Sequence, residues 1–391
     1  MSLAVSHSPS AIDTALAEIL ALYENVEGAH ALHEPDLSQL ERDAVDRCIA
    51  SSFVSTYGPD TIDLEAELQR FTRAPHVIAV NSGTSALHLS LLASGIDAES
   101  EVILSPLGFV ATKNAILYTG ATPVYLDCEE DGLGLCPQRL AHFLENCQRT
   151  AEGLRNPSSG RIVKAVVPVH LFGLAARIRE LATICESYGL DLIEDAAEAL
   201  GCFSAGQHLG TFGRFGILSF NGNKVVTAGG GGAVLCRDPR DAERVLALAT
   251  THKKPGDCYP AFVSPAYNYR MPSLNAAMAR AQLSRIGDII GKKESNWKRA
   301  KAHFGHSSVA HVITPPQQLQ SNYWLTTIKL NGLHSSDICD GLWAKNVGAR
   351  ACWALLSDHN REEWASLFPF ASHCYQTVLT LPSGPKLDLR A

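Results

Sequence analysis

The sequence predicts an α/β fold: a large, mostly parallel sheet wrapped by helices, followed by a smaller C-terminal α/β domain. Three observations carry this. Short apolar, β-branched runs alternate with helix-period stretches between about residues 77 and 194, the pattern of parallel strands joined by crossover helices. Two strand ends deliver chemically distinctive residues, Asp195 directly after one buried run and Lys224 shortly after another. Beyond Gly232 the alternation gives way to helices and then to a mixture of short strands and helices.

In order along the chain, residues 11–24 carry Ile12, Leu16, Ile19, Leu20 and Leu22 at helical spacing, which predicts a short amphipathic helix. A second helix is expected over 37–51, ended by Ser55-Thr56-Tyr57-Gly58-Pro59, and a third over 62–71. Strands are expected at 77–80, 101–104, 122–126, 163–169, 190–194 and 216–220, with helices at 85–92, 111–118, 137–145 and 178–188 between them. Residues 149–161 read as a polar loop, 241–249 as a helix and 275–290 as one long helix. There is no internal repeat.

The bulk properties exclude several function classes. A 391-residue chain, 46% hydrophobic, has enough apolar material for a large core. A net charge of −7 without a basic run argues against nucleic acid as a partner. No apolar stretch reaches the roughly 20 residues that span a membrane, so no membrane partner is expected. Met1 to His7 lacks the charged and apolar regions of a secretory signal. Eleven cysteines, scattered singly and including Cys258, point to reduced thiols in a cytoplasmic protein. The fifteen histidines form no H-x-x-x-H or H-E-x-x-H cluster, and no metal site is expected.

Chemistry concentrates around Ser219-Phe220-Asn221-Gly222-Asn223-Lys224 and the glycines 229–232 behind it. A strand ending in Asp195 and a strand–loop ending in Lys224 are what a pyridoxal phosphate (PLP) enzyme needs: the lysine for a Schiff base, the acid to hold the pyridinium proton. Asp195, if buried, needs such a partner; a salt bridge to an arginine would serve equally. Gly83, Thr84 and Ser85 lie between a strand and a helix, where free N–H groups favour an anion, although Ser and Thr are also ordinary N-caps. Ser219 suits a phosphate or simply a strand end. Phe109 suits a stacking role or the core. His170, at a strand end, suits a substrate contact or a satisfied core histidine. Arg270, beside Tyr267-Asn268-Tyr269, suits an anionic group or a surface turn. Glu198, three residues past Asp195, would reach the cofactor's ring hydroxyl or lie in solvent.

Taken in order, these motifs resemble the DegT/StrS family of PLP-dependent sugar aminotransferases, members of fold type I, the aspartate aminotransferase-like enzymes. The resemblance runs from about His33 to Pro382 and rests on segments 81–87, 105–114, 118–127, 167–173, 194–198, 210–224 and 267–272. Leu32-His33-Glu34-Pro35, Phe53-Val54-Ser55, Asn322-Tyr323-Trp324-Leu325 and Leu381-Pro382-Ser383 are similar to the branch of legionaminic acid and bacillosamine-type pathways. Most of the family carries Glu where this chain has Gly230, a change that this branch shares.

The resemblance implies three regions: an N-terminal helical extension over 1–52, a large PLP-binding domain over 53–275, and a long connecting helix with a small C-terminal domain over 276–391. It implies Lys224 as Schiff-base lysine and proton shuttle, and Asp195 on the pyridine nitrogen. It further implies Phe109 on the ring, Gly83, Thr84, Ser85 and Ser219 on the phosphate, and Glu198 near the ring hydroxyl. Asn268 would reach the phosphate from a neighbouring subunit of a homodimer, and His170, Arg270, Asn322 and Tyr323 would face substrate. The implied reaction transfers an amino group from L-glutamate to C4 of a nucleotide-linked 4-keto-6-deoxy sugar, commonly 2-acetamido, for cell-surface glycan synthesis in the cytoplasm. Two other readings keep the pocket, a non-catalytic PLP-binding regulator and a PLP-dependent sugar dehydratase. Such dehydratases replace the lysine with His, which Lys224 opposes.

Overall fold

The computed structural model describes residues 9–26, 28–129, 133–251 and 265–389; Cys258 and the stretch 1–7 lie outside them. Nine strands form the large sheet, seven along its main path: β1 (His76–Val80), β2 (Ser100–Leu104), β3 (Thr122–Tyr125), β4 (Ile162–Val167), β5 (Asp191–Asp195), β6 (Phe215–Ser219) and β7 (Gly232–Cys236). Their spatial order is β1-β7-β6-β5-β4-β2-β3. Strands β2 to β6 pair in parallel, and β7 runs antiparallel to both its neighbours. Successive side chains feed two separate cores. Val102, Ala165, Ile193 and Ile217 point to one face, and Ile103, Val166, Leu192 and Leu218 to the other. Burial on both faces is why these strands read as continuous apolar runs.

The α-helices of the described residues up to His303 are α1 (Pro9–Ala21), α2 (Gln39–Ser51), α3 (Pro59–Thr72), α4 (Gly83–Ala93), α5 (Val110–Tyr118), α6 (Pro137–Glu145), α7 (Ile178–Tyr188), α8 (Pro239–Ala249), α9 (Ser273–Ser284) and α10 (Ile286–His303). Ser38 caps α2 reciprocally with Glu41, and Pro59 opens α3 at its first position.

Three features differ from the sequence expectation. Strand β7, Gly-Ala-Val-Leu-Cys, is buried throughout, but the glycines before it conceal its start. The polar segment 149–161 contains part of a hairpin, Gln148–Thr150 with Gly153–Arg155, that pairs antiparallel to β4; it is polar because it is mostly exposed. The expected single helix over 275–290 breaks at Arg285, whose backbone leaves the helical region. The Arg285 guanidinium there grips Asp36 and Glu41, tying the break to the segment ahead of α2.

The C-terminal sheet is antiparallel, in the order β8 (Ala310–Val312), β9 (Thr326–Leu330), β11 (Val378–Leu381), β10 (Arg350–Ala351). Helix α1 packs on this unit: Ala15, Ile19 and Leu22 are fully buried in one cluster with Ile328, Leu379 and Leu381. Burying Ile19 and Leu22 is worth roughly 1.5–3 kcal/mol each, so α1 is anchored on the C-terminal unit. Helix α2 instead packs on α9 through Ala44, Cys48 and Ala277.

Candidate active site

A cavity of ≈ 390 Å³ opens at the C-terminal ends of β5 and β6, where parallel sheets gather ligands. Gly83, Thr84, Phe109, Asp195, Glu198, Ser219 and Lys224 all line it, joined by Asn81, Asn221, Asn223, Trp324 and Trp353. Residues 141 positions apart in sequence thus meet because β1 and β6 both lie beside β7.

One end of the cavity is an anion cradle. Ser82 caps α4: its Oγ accepts from the Ser85 N–H at 3.0 Å and its carbonyl from the Ala86 N–H at 3.1 Å. The amides of Gly83 and Thr84, in the first turn, have no intrahelical acceptor. Close approach of α4 to the sheet depends on glycine. A Cβ on Gly232 would lie 2.6 Å from the Ser82 carbonyl carbon and 2.7 Å from the Gly83 nitrogen. Ser85 turns its hydroxyl away, donating to Asn81 Oδ1 at 2.7 Å.

The acid and the base line the same cavity. Asp195 is buried at the end of β5; its Oδ2 accepts from Thr112 Oγ1 at 2.6 Å and its Oδ1 from the Ala197 N–H at 3.2 Å. Lys224 Nζ lies 3.6 Å from Glu198 Oε1 and 3.9 Å from the centre of the Trp324 ring. Glu198 Oε2 accepts from the Phe172 N–H at 2.8 Å. Phe172 makes this contact from the left-handed region, at φ +58°. Burial holds the Glu198 carboxyl above the usual carboxylate range; Lys224 and the Phe172 N–H pull it back, and Asp195 adds to the rise.

The other residues singled out in the sequence lie elsewhere. His170 is fully buried; its Nε2 lies 3.1 Å from Glu194 Oε2 and its Nδ1 accepts from the Ala176 N–H, so the ring is a structural tie. Glu194 is satisfied further by the N–H groups of Gly210, Phe212 and Gly213. Arg270 pairs with Glu65, with one contact at 3.0 Å. Asn322 is buried and donates to the carbonyls of Glu198 and Leu200 at 3.0 and 2.9 Å. Tyr323 packs on Trp297. Asn268 sits on the segment bridged to Thr250, its carbonyl 3.4 Å from Asn81 Nδ2. None of these five lines the cavity of this chain.

Sequence reasoning passed over Thr112, Trp324 and Trp353. Thr112 and Trp324 fall within segments 105–114 and 322–325, but only the fold shows that they face Asp195 and Lys224. Trp353 carries no local signal.

The donor set fits PLP. First-turn amides without an intrahelical acceptor beside Ser219 suit a phosphate, a buried carboxylate held by two donors suits a pyridinium nitrogen, and a lysine amine lines the same cavity. Known proteins agree. Residues 35–391 match the DegT/DnrJ/EryC1/StrS aminotransferase family. EpsN of Bacillus subtilis (strain 168), provisionally named a pyridoxal phosphate-dependent aminotransferase, is 35% identical over 82% of this chain and 81% of its own. The GDP-perosamine synthase of Vibrio cholerae is 33% identical over 91% of this chain and 94% of its own. The crystal structure of DesI in the presence of its TDP-sugar product superposes with a TM-score of 0.80 at 25% identity, covering 94% of this chain and 91% of DesI.

Proposed function

The chain belongs to the DegT/DnrJ/EryC1/StrS aminotransferase family and is a pyridoxal phosphate-dependent aminotransferase; from that premise we propose that it moves the amino group of L-glutamate to C4 of a nucleotide-linked 4-keto-6-deoxy sugar. A 2-acetamido group on that sugar, and the legionaminic acid or bacillosamine type of pathway, belong to the same proposal. The single observation that carries the reading is the shared cavity, which Lys224 and Asp195 line together with Ser219 and the first turn of α4. Names among the relatives, a GDP-perosamine synthase and a protein with a TDP-sugar product, support a nucleotide sugar. Two of the branch-like segments meet in space: the Ser383 N–H donates to the Leu32 carbonyl at 2.9 Å.

When bound, PLP supplies an electron sink and carries the amino group between donor and acceptor. The chain's own groups do the rest. The amides of Gly83 and Thr84 with Ser219 would hold the phosphate, and Asp195, fixed by Thr112, would keep the ring nitrogen protonated. Phe109 would cover the ring, and Glu198 would serve the ring hydroxyl. Lys224 Nζ takes the Cα proton of the amino donor and returns a proton at C4 of the sugar. We place the enzyme in the cytoplasm as a homodimer. The exposed Phe53, Val54, Tyr57 and Tyr118 supply apolar surface for an interface, across which the partner subunit's Asn268 would reach the phosphate.

The test is nitrogen transfer. The PLP-loaded protein is incubated with heavy-nitrogen L-glutamate and a panel of UDP-, GDP- and TDP-linked 4-keto sugars, and products are read by mass spectrometry. Label in one amino sugar supports the reading. Loss of water without label points to a dehydratase, and no change in any sugar to a non-catalytic binder.

A further inference from the structure

Trp324 touches the Lys224 segment twice. The Lys224 ammonium sits 3.9 Å over the centre of the indole, and the indole N–H donates to the carbonyl of Asn223, the residue just before, at 2.7 Å. The ring itself is held still. It is 1% exposed, its backbone N–H donates to Asn322 Oδ1 at 2.9 Å, and Asn322 in turn donates to the carbonyls of Glu198 and Leu200. Phe172 stacks beside it at 6.5 Å and 26°. Phe172 also gives its N–H to Glu198, whose other oxygen faces Lys224. Four residues therefore close a ring, Lys224 to Glu198 to the Phe172 N–H, and from the Phe172 ring to Trp324 and back to Lys224.

The same double contact recurs at Arg350, which lies 4.1 Å from the centre of the Trp343 ring while the indole N–H donates to the carbonyl of Ala349, the residue just before, at 2.8 Å. There the ring is exposed at the surface, whereas Trp324 is buried against the cavity. We propose that Trp324 is the positioning residue for Lys224: the indole holds the side chain by its face and the preceding peptide by its N–H, and so aims the amine into the cavity. In the loop after β6, the Lys224 amine also faces Glu198 Oε1, at 3.6 Å. Lys224 follows a turn of two asparagines and a glycine, and without Trp324 the amine swings on a four-carbon stem.

This inference rests on Lys224 being the residue that bonds the cofactor. The test uses the full chain, stripped of cofactor and reloaded. Two variants separate the two contacts. Trp324→Phe keeps a ring face and most of the packing and removes the N–H; Trp324→Leu removes both. The first readout is the rate at which PLP becomes covalently attached to Lys224, followed by borohydride trapping and peptide mass. The second is the affinity for pyridoxamine phosphate, which fills the same cavity and cannot bond to the lysine. Attachment roughly tenfold slower in Trp324→Leu, with a smaller loss in Trp324→Phe and parental affinity for pyridoxamine phosphate, is expected. Parental attachment rates in both variants would overturn the proposal. So would a matching loss of pyridoxamine phosphate affinity, which would make Trp324 a wall of the cavity only. Should Trp324→Leu not fold, Trp324→Phe alone decides between these outcomes. A parent protein that never attaches PLP to Lys224 overturns the functional reading, and this inference with it.

Discussion

The hydroxyl of Thr112, in the first turn of α5, donates to Asp195 Oδ2 across 2.6 Å inside the core. With the Ala197 N–H on the other oxygen, it fixes the plane of the carboxylate that would meet the cofactor nitrogen. A hydrogen bond to a charged group contributes about 1.5–3 kcal/mol. Thr112→Val, which keeps the shape and removes the donor, should weaken PLP binding by about tenfold or more. Equilibrium dialysis of the two proteins checks this; unchanged affinity would show that Asp195 is oriented without Thr112.

Glu198 should make the cofactor-free protein lose stability as pH rises. Burial raises its folded-state value above that of the unfolded chain, so in the window above about 4.3 the folded state binds the extra proton. The cost of ionising Glu198 is absent below that window and complete above the folded value. Glu198→Gln removes it. Melting temperatures of parent and variant should therefore diverge in the variant's favour from pH 4 upward. Parallel curves would mean that Lys224 compensates the buried charge in full.

Two neighbouring glycines should respond oppositely to a methyl group. At Gly230 the nearest atom to an added Cβ is the Asn81 carbonyl oxygen at 3.9 Å, so Gly230→Ala should leave folding and PLP affinity near parental. At Gly232 the methyl would strike the backbone of Ser82 and Gly83. Overpacking of this kind costs about 1–3 kcal/mol, and here it displaces the anion cradle. Gly232→Ala should lower both the urea midpoint and the affinity for PLP.

Lys293 is buried and donates to the carbonyl of Ser383, the residue that also holds Leu32 and Thr326. Burial pushes it down to about 7. An unfolded lysine keeps its proton to about 10.4, so between those values the unfolded chain binds more protons and stability rises with pH. Each pH unit of that window is worth about 1.4 kcal/mol. Lys293→Met should flatten the rise, measured as the difference in urea unfolding between parent and variant from pH 7 to 10.

What was legible in the sequence follows from what is local. Asp195 and Ser219 each end an apolar strand, Lys224 closely follows one, and Gly83 and Thr84 open a helix. Each pairing of element and residue can be read within ten positions, and the α/β alternation then points them to one end of the sheet. His170, Arg270 and Asn322 depend on partners that lie 24, 205 and more than 120 positions away. Glu194 and Glu65 satisfy the first two inside the fold, and no local pattern announces this. Trp324 and Trp353 come from the C-terminal unit, whose short strands carry little periodicity. The break at Arg285 was hidden for the same reason: its cause, the pull of Asp36 and Glu41, is about 250 residues upstream.

The most direct measurement is the absorbance spectrum of the purified, PLP-loaded protein before and after addition of L-glutamate, with Lys224→Ala alongside. The parent should show the visible band of lysine-linked cofactor, and glutamate should convert it to the band of pyridoxamine phosphate. Lys224→Ala should lack the first band and turn over no substrate. A parent without that band, a band indifferent to glutamate and other amino donors, or normal turnover by Lys224→Ala would contradict amino transfer through Lys224.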